Sequence, residues 1–122
     1  MQNSRAALEG GGMNGRTPNA EEKRWRGAVA DLGCIVCLLY EGEYTPAEVH
    51  HIDGSRKQGC HLKTIGLCCR HHRVPDNGKA PRWVSRHGNG RKAFEREYAS
   101  EDQLLLETQR RVEARRKQSS IL

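Results

Sequence analysis

Five cysteines and six histidines are spread over 122 residues, and most of them fall into pairs with metal-ligand spacing. Cys34-Ile-Val-Cys37 is one pair and Cys68-x-x-His71 another. In each, a single backbone turn can present both side chains to one ion, and three thiolates with one imidazole form a tetrahedral structural zinc set. One C-x-x-C alone is weak evidence; two such pairs in a short chain are strong. Cys69 and His72 repeat the second spacing one residue later, so the register of that pair stays open. The earlier register is preferred because it leaves His72 for other work. Cys60 reads as a bystander.

The remaining imidazoles are His50, His51, His61, His72 and His87. Residues 45–52 look like the approach to a short strand, where neighbouring side chains point to opposite faces. His50 and His51 therefore cannot share one task, and a division of labour follows in which one holds a metal and the other moves a proton. Phosphodiester hydrolysis needs both parts, a cation to stabilise charge on the phosphate and a base that titrates near neutrality. Neutral imidazole serves either.

These residues need a scaffold. Thr17-Pro18 predicts a helix start, with Glu21 and Glu22 in its first turn. Trp25, Ala28, Val29 and Leu32 form its apolar face, and Gly33 its stop. A returning strand is expected at 64–67, a short helix over 68–73, a Gly-, Pro- and Asn-rich loop to about 89, and a helix over 92–99. Ser100-Glu-Asp-Gln103 is a capping-box signature for a last helix carrying Leu104, Leu105, Thr108 and Val112. The fold class is α+β: a small zinc-stapled core with an N-terminal helix and C-terminal helices. Residues 1–16 read as a disordered segment, the part before Met13 as an expression remnant, 17–117 as the domain and 118–122 as a flexible end.

Composition agrees with a stapled domain that handles a polyanion. Hydrophobic residues make up 35%, aromatics 5%, and mean hydropathy is −0.85, so little core can form without a staple. The formal charge is +6 and the pI about 9.3, which favours nucleic acid through counterion release. With no signal-like or membrane-length apolar run, the cysteines are expected in a reducing cytosol, where they ligate metal rather than pair.

Together, Leu32-Gly33-Cys34-x-x-Cys37, Pro46-Ala47-Glu48-Val49-His50-His51-Ile52, Gly54-x-Arg56-x-x-Gly59-x-His61 and Thr64-Ile65-Gly66-Leu67-Cys68-x-x-His71-His72-Arg73 resemble the HNH (ββα-metal) nucleases. They resemble most the phage recombination-enhancement group of RecA-dependent nucleases, over residues from about 18 to 112. Gly66 departs from that pattern, which leads one to expect proline. The resemblance implies a treble-clef-like core and metal-dependent DNA cleavage, with a RecA filament as partner in a bacterial host cytosol and a phage or prophage origin. It also implies that His51 is the general base and that His61 orients it or approaches the metal. His50 and His72 would be ligands of a catalytic Mg²⁺, Mn²⁺ or Zn²⁺, with His87 completing the shell. Arg56, Lys57, Arg70 and Arg73 lie near the motif and are candidates for holding phosphates. The alternative is a non-catalytic zinc module that binds nucleic acid or protein, which has no use for the surplus histidines.

Overall fold

The computed structural model describes residues 16–76 and 83–121, with side chains to Gln118; most of the N-terminal segment and the tip of the Pro- and Gly-rich loop lie outside these. Helix α1 spans Ala20–Leu32, strand β1 Glu48–His51 and strand β2 Thr64–Leu67, followed by helices α2 (Cys69–His72), α3 (Arg91–Glu97) and α4 (Glu101–Ile121). A π-helical turn over Cys37–Glu41 and a 3₁₀ turn over Cys60–Leu62 complete the order. No helix among the described residues is long and apolar enough to cross a membrane.

The N-terminal helix starts two residues later than Thr17-Pro18 predicts. Asn19 is the cap: its side chain accepts from Glu22 N at 2.8 Å, and the Glu22 carboxylate accepts from Asn19 N at 2.8 Å. Such a box needs an acid three residues after the cap, and Thr17 would find Ala20 there. Trp25, Ala28, Val29 and Leu32 face the interior, as their spacing requires. At its far end Gly33 stops the helix with φ 87°.

The two strands form one antiparallel hairpin, pairing Glu48 with Leu67, Val49 with Gly66, His50 with Ile65 and His51 with Thr64. Helix α1 packs on the hairpin and on the 3₁₀ turn, α4 on α1 and β2, and α2 on both strands. Ile35, Val36, Ile65, Leu67, Phe94 and Leu104 are fully buried between them. Gly66 has a reason of its own. A Cβ at that position would lie 2.5 Å from the Gly33 carbonyl oxygen and 3.1 Å from Ala47 Cβ, so any larger residue, proline included, would push the end of α1 off the strand.

In α4 the Ser100 hydroxyl accepts from Gln103 N at 3.1 Å, and Leu104, Thr108 and Val112 point into the core. The helix continues to Ile121, past Lys117 where the sequence reading ends the domain. Arg16, the first described residue, is not loose. Its backbone N donates to Ser55 O at 2.8 Å and its Nε to Arg56 O at 2.7 Å.

Candidate metal centres and active site

Cys34, Cys37, Cys68 and His71 converge and are buried. His71 Nδ1 lies 3.5, 3.6 and 3.2 Å from the sulfurs of Cys34, Cys37 and Cys68, and the Cys37 and Cys68 sulfurs are 3.9 Å apart. Zinc bonded to sulfur at about 2.3 Å and to imidazole at about 2.1 Å sets tetrahedral edges of roughly 3.5 to 3.8 Å, so the four atoms fit that ion. Cys37 N points at Cys34 Sγ at 3.5 Å, as in a knuckle that carries thiolates. Without a cation the sulfurs compete for one charge. The hydrogen bond between Cys34 and Cys68 pushes the Cys34 thiol up and pulls Cys68 down to about 3, and burial pushes Cys37 up. A dication removes that competition. The register is therefore Cys68–His71. Cys69 is exposed, and Cys60 is buried outside the cluster.

The second cluster is His50, His72 and His87, whose ligand atoms lie within 4.8 Å of one another. Three elements bring them together: β1, the end of α2 and the loop before α3. The loop is tied down where Arg86 N and His87 N donate to His71 O and His72 O, both at 2.8 Å, so α2's last carbonyls find partners and His87 is held beside His72. Two of the three rings carry a carboxylate on the other nitrogen. His50 Nε2 donates to Glu101 Oε2 at 2.6 Å, and His72 Nδ1 to Glu48 Oε1 at 2.7 Å. Each contact fixes a tautomer and leaves His50 Nδ1 and His72 Nε2 as lone-pair atoms, the usual setting of a metal-binding imidazole.

Glu101 is fully buried at the start of α4. Burial pushes its carboxyl up, but the His50 and Arg86 hydrogen bonds outweigh that and hold it below the usual range. Its other oxygen accepts from Arg86 Nε and Arg91 Nε, each at 3.0 Å. Arg73 grips Glu48 with Nε and Nη2, and these bonds together with His72 lower that carboxyl to about 2.

His51 turns to the other face, as alternation demands. Its Nε2 is 2.9 Å from His61 Nδ1, and His61 Nε2 reaches the Arg16 carbonyl. A carbonyl only accepts, so in the neutral pair His61 donates through Nε2 and receives from His51 Nε2–H at Nδ1. His51 Nδ1 is left with its lone pair. Burial, then the nearby His61, Arg26 and His50, lowers the His51 pKa.

A sequence profile described as "Recombination enhancement, RecA-dependent nuclease" matches residues 18–113, which takes in both clusters and the His51–His61 pair. The chain belongs to that family. This RecA-dependent nuclease is thus a phosphodiester hydrolase, and the alternative of a non-catalytic zinc module falls away.

In the nuclease the basic residues that sequence reasoning placed at phosphate are differently engaged. Arg73 is paired with Glu48, and the Arg70 guanidinium lies 5.7 Å from the centre of the Trp83 ring. Arg56 and Lys57 are exposed on the loop between the strands. Sequence reasoning missed Glu48 and Glu101 as partners of the imidazoles. The first was within reach, since Glu48 and His50 are two apart on one strand and share a face. Glu101 was not, being read as part of a capping box 51 residues from its partner.

Proposed function

We propose that this nuclease cuts DNA by metal-assisted hydrolysis, in a domain spanning residues 17–117, with His51 as general base and His61 orienting it. His50, His72 and His87 hold a divalent ion, Mg²⁺, Mn²⁺ or Zn²⁺, and Cys34, Cys37, Cys68 and His71 hold a structural zinc. The observation that carries the reading is the split between the two neighbouring histidines. His50 belongs to a three-imidazole cluster backed by carboxylates, while the next residue belongs to a hydrogen-bonded pair that leaves Nδ1 unprotonated.

When bound, the divalent ion supplies charge stabilisation at the phosphate and the leaving oxygen. The residues do the rest. His51 takes a proton from the attacking water at Nδ1, and its lowered pKa keeps that atom available at neutral pH. His61 stops the ring from rotating and shares the developing positive charge through Nε2–H of His51. Glu101 and Glu48 keep the lone pairs of His50 and His72 aimed at the cation. Attack of water on phosphorus then breaks the bond to the 3′ oxygen or the 5′ oxygen of the chain; the family resemblance favours a 3′-hydroxyl and a 5′-phosphate. Arg56, Lys57, Arg70 and Arg73 remain candidates for contacts to flanking phosphates; the family description names RecA dependence, and a RecA filament on the substrate is the partner proposed to supply it.

The test is plasmid nicking against metal concentration, with and without a RecA filament. His51→Ala should lose about two to four orders of magnitude in rate at every metal concentration. His50→Ala and His72→Ala should recover part of their loss as the metal is raised. If His51→Ala cuts like the parent, His51 is not the base.

A further inference from the structure

Helix α1 carries a second stripe besides its apolar one. Lys23, Arg26, Gly27 and Ala30 fall at i, i+3, i+4 and i+7, and with Pro18 and Val49 they line an open cleft between α1 and β1. The cleft adjoins the His51 face of the hairpin. Val49 and His51 are two apart on β1 and share that face. The neighbouring Trp25 fixes α1 there, its Nε1 donating at 2.9 Å to Thr64 Oγ1, and Thr64 is the register partner of His51.

Two features of this cleft are not explained by contacts within the fold. Arg26 Nε is buried without a hydrogen-bond partner, so no acceptor within the fold engages the guanidinium through that atom. Gly27 sits in mid-helix, where glycine costs about 1 kcal/mol relative to alanine. No neighbour requires it, because a Cβ there would meet nothing within 4 Å. Its effect is to keep the floor of a basic cleft open beside a guanidinium in want of an acceptor. Arg73 and Glu48, by contrast, already satisfy each other.

We propose that Lys23 and Arg26 of α1 seat a DNA phosphodiester over Gly27 and so hold the strand beside His51. The placement of the cut rests on the reading of His51 as base; the phosphate seat itself does not. Arg26 presents a planar fork of donors matched to two phosphate oxygens, and Lys23 adds a point charge one turn earlier.

Binding of a short labelled duplex, followed by fluorescence anisotropy across a salt series, tests the seat. Arg26→Ala should weaken binding about 10-fold at low salt and make the log–log salt slope shallower by about 1, as loss of one phosphate contact does. Arg26→Lys should keep the slope. Gly27→Glu, whose side chain enters open space, should keep zinc and the melting temperature yet weaken binding at least as much. Should Arg26→Ala melt early, Arg26→Gln is read in its place. Parental affinity and slope in Arg26→Ala or its glutamine substitute, or parental binding in Gly27→Glu, overturns the proposal. Cleavage by the same proteins on RecA-coated DNA separates the two ideas. A parent that never cuts, with the slope change present, removes the mechanism and leaves the seat; a parent that cuts, with no slope change, does the reverse.

Discussion

Glu101 Oε2 lies 2.6 Å from His50 Nε2, joining the first residue of the last helix to the middle of the first strand across 51 positions of sequence. The contact is fully buried, and Arg86 and Arg91 balance the carboxylate's charge from the other side. It sets the tautomer of an imidazole in the three-histidine cluster and ties α4 to the hairpin in the same stroke.

Glu101→Gln should therefore separate metal affinity from folding. The amide keeps the size of the carboxylate but presents a weaker acceptor to His50, and such partners typically contribute about 10- to 100-fold in metal affinity. Calorimetric titration of Mn²⁺ into the variant should show that loss. Glu101→Ala should also lower stability by about 3–5 kcal/mol, because Arg86 loses its buried partner. Unchanged Mn²⁺ affinity in Glu101→Gln would mean that His50 does not ligate the ion.

Cys37→Ala should unfold the domain rather than merely disarm it. The sulfur is part of a four-atom set at the centre of a small core, so on the proposed zinc assignment ion binding contributes to the folding free energy. Thermal melts with zinc stoichiometry check this, and a strong chelator should reproduce the loss in the parent. Zinc loss with the parental melting temperature would remove the structural role from the cluster.

Cleavage should persist on the acid side of an ordinary histidine. The base must be unprotonated, burial and neighbouring positive groups lower the His51 pKa, and a cation bound nearby acts in the same direction. The acid limb of log kcat/KM against pH should thus have its midpoint below the usual value of about 6.5. Stability follows the same sign. Below that value the unfolded chain takes up the proton more readily, so the His51 contribution is full above it and is lost as pH falls through the folded pKa. An acid limb centred above 6.5 would point to another base.

Gly66→Ala should destabilise the fold by about 1–3 kcal/mol, since the added methyl must displace the Gly33 carbonyl at 2.5 Å rather than a movable side-chain tip. Urea unfolding measures it. Gly27→Ala, placed in open space on a helix, should instead be neutral or stabilising by about 0.5–1 kcal/mol.

Local chemistry made much of this protein legible from sequence. Ligand spacing identified Cys34–Cys37 and narrowed the second half of the Cys/His cluster to two registers, because two side chains on one turn must share a neighbourhood whatever the rest of the chain does. Strand alternation separated His50 from His51 for a similar reason, the pleat being a property of the backbone alone. The apolar face of α1 and the apolar run of α4 follow from periodicity. Tertiary structure alone decided the rest. Whether Cys68–His71 or Cys69–His72 closes the cluster depends on which pair the start of α2 presents to Cys34 and Cys37, since both pairs have the same spacing. The helix start moved from Thr17 to Asn19 because a reciprocal box outweighs a favourable single residue. The partners Glu101 and Arg16 come from elements far from the histidines in sequence. Their contacts depend on packing between helices and hairpin, which no local pattern of residues encodes.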